Sequence, residues 1–397
     1  MRISTSQMFS LGLGAMLEKQ GDLVRTQQQI STGQRMLSPA DDPVAAVRNL
    51  ELSRAKDRTE QYERNNQLLD SRLRLEESVL SESVTLLQRV RELAVQANNA
   101  TQSNESRQSI ALEVRQHLDS LLAYANTQDS DGRYIFSGFQ QDTPAFSQTT
   151  SGVTYNGDDG QRMLQSGPGR QIADSDPGSA VFMAMLNGNG QFSGSASGAN
   201  QGDGVIAVNA VADPGSFSGQ TLTVQFTSPD SYDVVDASSN VVASGSYLSG
   251  ADIVAGGMSF QIEGQPASGD SFTLQPAQRK DVFSMLDELA GSLELGRSSA
   301  ADRAQQTSEI NNALGNLDQA LDHILGKQTE VGARMASLDR QVDINAGASL
   351  QIEENLSLVN DLDYAEAITR FNQQLTSLQA AQQAFSKVQG LSLFNYL

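Results

Sequence analysis

The chain contains no cysteine, and only two of its 397 residues are histidine. Without cysteine there can be no disulfide, no thiolate nucleophile and no cysteine-ligated metal site. Neither His117 nor His323 belongs to a His-x-x-x-His or His-Glu pair, so we interpret them as ordinary helix residues. The composition therefore predicts no metal and no cofactor.

Long apolar runs and positive charge are also scarce. The longest strictly apolar run is AVFMAML, from Ala180 to Leu186, which is far too short to span a membrane. The first residues do not combine a basic segment with a long apolar one, so we expect no ordinary secretory signal, and either a cytoplasmic location or another export route. The net charge is -20, and no region has the basic surface that nucleic acid or anionic lipid requires. Neither nucleic acid nor membrane is an expected partner.

Motifs for catalysis are incomplete. The GKQ at positions 326–328 lacks the Ser or Thr that ends a phosphate-binding loop. Ser53 to Lys56 fit the pattern S-x-x-K without its companion motifs, so a solvated helix face explains them better than a nucleophile. DSDG, from Asp129 to Gly132, lacks the closing glutamate of a calcium loop and predicts a turn. The protein is therefore not expected to be an enzyme.

The last third of the chain has the clearest helical periodicity. We consider the fifteen positions from Ile310 to Val359 that are separated alternately by four and three residues. Twelve of these fifteen positions are apolar. A mean spacing of 3.5 residues is typical of a coiled-coil seam and predicts long helices at shallow crossing angles. A second ladder follows Asp361 and Asp363 and consists of Tyr364, Ile368, Phe371, Leu375, Leu378, Gln382 and Phe385.

The first third mirrors this arrangement with a thinner stripe. A broad apolar stripe runs from Leu68 to Ala97, and another from Ile110 to Ala125. Because each helical end needs partners, we expect the two ends to pack together as a long antiparallel coiled-coil bundle. The seam nearest the amino terminus buries too little apolar surface to offset the entropy of ordering it, so the ends should fray until neighbouring chains cover them. That seam repeats every seven residues at Phe9, Met16, Leu23, Ile30 and Leu37.

The middle of the chain has a different composition. Residues 140–276 hold 20 of the 33 glycines, with 13 acidic and only 2 basic side chains. The alternation in QTLTVQFTS, SYDVVDASSNVVAS and GMSFQIEG predicts strands separated by turns. The expected fold is mainly α with an inserted β-rich domain. The predicted divisions are terminal helices over 1–37 and 361–397, a helical bundle over 38–139 and 277–360, and the β-rich insert over 140–276.

The helical pattern of the first third breaks once, at QRMLSPADDP over residues 34–43. Pro39 and Pro43 suit the first turns of helices, and Ser38 and Asp42 precede them as N-cap candidates. We therefore predict a helix end near Leu37 and a helix start near Asp42. The pair Asp41 and Asp42 is interpreted as capping rather than as catalytic or metal-binding.

Four segments resemble the flagellin family. They are MRISTSQMF at 1–9, ISTGQRMLSPADDPVAA at 30–46, GRYIFSGF at 132–139 and AITRFNQQLTSLQAAQQAFSKVQGLSLFNYL at 367–397. Filament flagellins usually read Asp-Asp-Ala-Ala-Gly where this chain has Asp42-Pro43-Val44-Ala45. The chain is therefore most similar to the family members at the junction between hook and filament.

This resemblance implies a structural subunit that joins the hook to the flagellin filament and is needed for filament assembly and motility. It implies an extracellular place at the hook-filament junction, reached by unfolded export without a cleaved signal peptide. The implied partners are further copies of the chain in a ring, the first hook-associated protein, flagellin, an export chaperone at the carboxy-terminal helix, and the flagellar secretion apparatus. The alternatives are a filament flagellin, or a secreted coiled-coil adhesin whose insert binds a ligand.

The resemblance also implies where assembly contacts lie. The turn with Ser38, Pro39, Asp41, Asp42 and Pro43 resembles the family's division between an inner tube helix and an outer bundle. The terminal apolar residues are expected to contact neighbouring subunits and the chaperone. They are Phe9, Met16, Leu23, Ile30, Ile368, Phe371, Leu375, Leu378, Phe385, Leu393, Phe394 and Leu397.

Overall fold

The computed structural model describes the backbone of residues 5–150 and 152–394 and the side chains of residues 7, 9–150 and 152–387. Helices dominate both ends of the chain and strands the middle, which confirms the predicted fold class. Among these residues no helix is both long and apolar enough to cross a membrane. The helices are α1 (Thr5–Thr32), α2 (Pro43–Ala97), α3 (Asn104–Ala125), α4 (Gly178–Phe182), α5 (Val282–Glu294), α6 (Ala300–Asn360) and α7 (Tyr364–Phe394).

The strands form small antiparallel sheets. They are β1 (Phe146–Thr149), β2 (Gly152–Tyr155), β3 (Met163–Gly167), β4 (Arg170–Ala173), β5 (Met185–Leu186), β6 (Phe192–Ala196), β7 (Val205–Val211), β8 (Leu222–Ser228), β9 (Ser231–Asp236), β10 (Val241–Ser246), β11 (Asp252–Ala255), β12 (Met258–Glu263), β13 (Ser271–Pro276) and β14 (Arg279–Lys280). One sheet has the order β10-β9-β8-β13-β6 and another the order β11-β12-β7. The pairs β1-β2, β3-β4 and β5-β14 form two-stranded sheets.

The strands predicted from alternation are confirmed as β8, β9 with β10, and β12. In β12 the side chains of Met258, Phe260 and Ile262 are buried, and those between them are more exposed. This two-residue period places one face of the sheet on a core. In register, Ile262 lies opposite Ile206 of β7.

The β-rich middle contributes to two hydrophobic cores rather than one. Phe146, Ile172 and Phe182 belong to the core formed with α2, α3, α5 and α6, and the ring centroids of Phe146 and Phe283 are 5.1 Å apart. A second core contains side chains from Phe192 to Leu274 alone. The predicted 140–276 insert is therefore divided near residue 190, because the aromatic side chains before that point pack on α5.

Polar side chains of α6 attach the second core. Asn316 Oδ1 accepts a hydrogen bond from the Gly188 amide at 2.7 Å, and Asn312 Nδ2 donates to the Gly194 carbonyl at 2.5 Å. Ser308 Oγ accepts from the amide of Ile206 at 3.3 Å. Because Ser308, Asn312 and Asn316 are spaced by four residues, they lie on one helix face and fix successive backbone segments of the β-rich part.

The chain forms two compact units, one of residues 1–64 and 341–397 and the other of residues 65–340. Both hydrophobic cores lie within the second unit. The predicted α6 seam is confirmed there, but its two rows differ. Every seventh residue, Ile310, Leu317, Ile324, Val331 and Leu338, is at most 1% exposed. The intervening Leu314, Leu321 and Met335 are only partly buried.

Candidate assembly surface

Helices α1 and α7, the terminal helices of the first unit, carry most of the residues of the candidate site. Helix α1 packs along α7, and the ring centroids of Phe9 and Phe385 are 4.6 Å apart. A Cβ at Gly12 would lie 3.2 Å from the Phe385 ring, so this glycine permits the close approach. The side chains of Met16, Leu23, Ile30, Phe371, Leu378 and Phe385 are half-buried.

Further apolar side chains of the same two helices are exposed, and we call them the outward row. On α7 it contains Ile368 and Leu375, which are 48% and 37% exposed. The exposed residues on α1 were not predicted from the sequence as contact residues. Two of them, Leu17 and Val24, are seven residues apart, and this spacing could have identified them. The α1 members are Leu13, Leu17 and Val24, each at least 44% exposed.

Three predicted contact residues, Leu393, Phe394 and Leu397, lie outside the described side chains.

Helix α1 ends at Thr32, so the predicted end near Leu37 is wrong. Gly33 adopts a φ of +70°, the left-handed conformation that commonly ends helices and that glycine tolerates. Its carbonyl accepts a hydrogen bond from the Leu362 amide at 3.0 Å, and the Arg35 amide donates to the Asn360 carbonyl at 2.8 Å. The chain breaks after α1 and after α6 therefore pair with each other, a contact between residues more than 300 positions apart.

The two adjacent aspartates of the break have different partners. Asp42 Oδ1 accepts from the Ala45 amide at 3.0 Å, which is an N-cap contact for α2. Asp41 Oδ2 instead accepts from the amides of Leu37 and Ser38, both at 3.0 Å, and Asp41 also pairs with Arg25. Ser38 caps no helix, which corrects its predicted role, because Asp41 folds this segment into a turn.

Pro39 and Pro43 are both exposed, and Pro43 is the first residue of α2. Beside them lies an open cavity of about 640 Å³. Its lining carries no titratable side chain, so it suits an apolar occupant. Val47, which also borders it, is 59% exposed. The lining residues are Gln34, Met36, Leu37, Ser38, Pro39, Pro43, Ala46, Val47, Asn49, Leu50, Ser53 and Asn360.

The possible nucleophile pattern at Ser53 and Lys56 has ordinary partners. Lys56 Nζ lies 3.1 Å from Glu353 Oε1, and the hydrogen bond and charge of Glu353 raise the pKa of Lys56. A catalytic lysine needs a lowered pKa. Ser53 Oγ donates to Asn49 Oδ1 at 3.3 Å. Within the described part of the chain there is also no cluster of three or more potential metal ligands.

Gly33→Ala is expected to destabilise this unit by about 1 to 3 kcal/mol, because alanine is strained at this φ. The added Cβ would also lie 2.9 Å from the Tyr364 hydroxyl. Gly21→Ala is the matched control, since it lies inside α1 with nothing within 4 Å of its Cβ and should stabilise the helix by about 0.5 to 1 kcal/mol. Urea unfolding followed by far-UV circular dichroism measures both, and equal effects would contradict the assigned role of Gly33.

Two sequence profiles match the chain. The profile of the bacterial flagellin N-terminal helical region matches residues 3–141, and that of the bacterial flagellin C-terminal helical region matches residues 314–397. Together they cover more than half of the chain. The chain belongs to the bacterial flagellin family.

Individual relatives of this flagellin-family chain match most of its length. Flagellar hook-associated protein 3 of Escherichia coli is 26% identical over 395 residues, which is 99% of each chain. Crystal structures show the same fold. The FlgL structure from Xanthomonas campestris is 31% identical with a TM-score of 0.74 and covers 77% of this chain and 99% of its own. The flagellar junction protein FlgL of Legionella pneumophila is 33% identical with a TM-score of 0.69, and the match covers 73% and 99%.

Proposed function

We propose that this flagellin-family protein is the structural adaptor between the flagellar hook and the flagellin filament. Copies of the chain form a ring, with the first hook-associated protein on one side and flagellin on the other. The filament cannot assemble stably without this ring, so motility depends on it. The names of its relatives, hook-associated protein 3 and flagellar junction protein, support this assignment.

The observation that carries the proposal is the outward apolar row of the paired terminal helices. Exposed apolar residues in one contiguous row typically mark an interaction surface. This row contains Leu17 and Val24 on α1 and Ile368 and Leu375 on α7, all at least 37% exposed. The half-buried apolar side chains of these helices, which we call the inward row and which include Met16, Phe371 and Phe385, lie where α1 packs on α7. The outward row is therefore available to other chains.

Export also requires that the exposed apolar surface of α7 be covered in the cytoplasm. We propose that a cytoplasmic chaperone covers the apolar residues of α7 by helix-in-groove packing before export. The chain then leaves unfolded through the flagellar secretion apparatus, without a cleaved signal peptide. The exposure of Ile368 and Leu375 in the free chain supports a need for such a cover.

Complementation tests this function. A strain that lacks this gene should build hooks without filaments and release flagellin into the medium, and the full chain should restore filaments. Gold-labelled antibody against residues 192–276 should mark the base of the filament. Label along the whole filament would instead identify a filament flagellin, and label away from the flagellum would favour an adhesin.

A shortened chain is the second arm of this experiment. The Ala277 amide donates to the Gln191 carbonyl at 2.9 Å, so a short linker can replace residues 192–276 and remove the second core whole. This chain should remain helical and restore part of the motility, because the proposed contacts lie on α1 and α7. Excision from residue 145 would instead remove Phe146 and Phe182 from the helical core.

A further inference from the structure

A buried cluster of charges joins α2, α6 and the segment between β2 and α4. Arg72 and Glu76 lie four residues apart on α2, Arg334 projects from α6, and Asp174 and Asp176 follow β4. Glu76 and Asp174 are fully buried, and Asp176 is only 3% exposed. Groups buried this deeply must be paired or lose their charge.

Each aspartate of the cluster has an arginine partner. Arg72 Nη1 lies 2.8 Å from Asp129 Oδ2, and Arg72 Nε lies 3.2 Å from Asp174 Oδ2. Arg162 Nε also donates to Asp174 Oδ2, at 2.6 Å. Arg334 pairs with Asp176. The ion pairs therefore account for every buried carboxylate of the cluster except Glu76.

Glu76 has a different environment. Its Oε1 accepts a hydrogen bond from the Asp176 amide at 3.0 Å, and its Oε2 has no hydrogen-bond partner among the described residues. Burial and the neighbouring Asp176 carboxylate raise the pKa of Glu76 to about 8, while Arg334 opposes that rise and Asp174 adds to it. The other charged side chains of the cluster are Arg72 of α2, Arg162 and Asp129. All three belong to the adjoining ion pairs.

We propose that Glu76 and Asp176 form a proton-held latch, which keeps the segment from Asp174 to Pro177 seated on α2 and α6 while Glu76 is protonated. When Glu76 ionises, its negative charge adds to that of the nearby Asp176 carboxylate, and the arginine paired with Asp176 is Arg334. The segment then opens so that water reaches Glu76. The latch acts in the folded chain and does not depend on the proposed function.

The direction of the pH dependence follows from proton binding. With the segment open, Glu76 releases its proton near the ordinary pKa of a glutamate, about 4.3. With the segment closed, it holds the proton up to about pH 8. Between these values the closed state binds more protons than the open state, so raising the pH favours opening. Above about pH 8 both states have lost the proton and the dependence ends.

Amide hydrogen exchange of residues 172–178 tests the latch in the full chain. After division by the intrinsic exchange rate, protection of the Asp176 amide should fall about tenfold per pH unit between pH 5 and 8. In Glu76→Gln this slope should vanish, because the amide side chain carries no titrating proton. Glu77→Gln is the matched control at the adjacent residue, whose Oε1 accepts from Gln328 Nε2 at 3.1 Å, and it should keep the wild-type slope.

Protection that is independent of pH in the wild type, or a slope that persists in Glu76→Gln, would overturn the latch. If Glu76→Gln does not fold, carbon-13 NMR of the wild-type side-chain carboxyl decides. A titration midpoint near pH 8 supports the latch, and a midpoint near pH 4.5 rejects it.

Discussion

Changing Ile368 and Leu375 together to Asp is expected to abolish stable filaments while leaving the free chain folded. Both side chains lie in the outward row of α7. Burying each against a neighbouring subunit contributes about 1.5 to 3 kcal/mol, and burying an unpaired carboxylate there costs several kcal/mol more. A loss of about 5 kcal/mol weakens each subunit contact by more than a thousandfold. Cells should show hooks without filaments, with flagellin in the culture supernatant.

Two comparisons separate assembly from folding in this experiment. Leu248→Asp with Val254→Asp makes the same chemical change at exposed positions of the β-rich part, 72% and 55% exposed, and should leave filaments intact. Phe371 and Leu378 are half-buried, so Asp at those two positions should also lower the helix content of the free chain. Electron microscopy counts the filaments, circular dichroism measures the helix content of the free chain, and a flagellin blot measures the flagellin in the culture supernatant. Wild-type filament numbers in the Ile368 and Leu375 variant would disprove the assembly role of this row.

Arg72→Met is expected to lower the free energy of unfolding by about 3 kcal/mol at pH 7. Arg72 is only 1% exposed and pairs with Asp129 and Asp174. Methionine fills a similar space but leaves Asp129 without its cation, and an uncompensated charge in a buried site is strongly destabilising. The midpoint of urea unfolding measures the loss.

Arg74→Met is the matched control two positions along the same helix. Arg74 is exposed and pairs with Asp70 at 2.8 Å, and such a surface pair contributes about 0.3 to 0.5 kcal/mol. Adding Asp129→Asn to Arg72→Met should recover part of the lost stability, because it removes the unpaired charge. Similar losses in Arg72→Met and Arg74→Met would show that the buried ion pairs do not stabilise this unit.

Local sequence patterns were sufficient to predict the helices and strands in which apolar residues recur at a regular spacing. The seam of α6 follows from its seven-residue spacing, since a helix returns to the same face after two turns. The strands β8 and β12 follow from two-residue alternation. The start of α2 at Pro43 follows from the proline and its N-cap Asp42. In each case the deciding residues are neighbours along the chain.

The candidate site was only partly predictable, because a heptad period does not say which row of a helix meets its partner. The inward row with Met16 and Phe371 and the outward row with Leu17 and Ile368 are both apolar at similar spacing. Only the packing of α1 on α7 distinguishes them. The end of α1 was likewise mispredicted, because Gly33 pairs with Leu362, far away in the sequence.

The sequence by itself determined the family, the helical ends and the β-rich middle. These properties depend on composition, on short motifs and on periods that span a few turns of helix or strand. The tertiary structure alone decided which apolar row is exposed, where the β-rich middle divides into two cores, and how Arg72, Asp174 and Arg334 meet around Glu76. Those properties depend on contacts between residues about 100 to 400 positions apart, which no local pattern specifies.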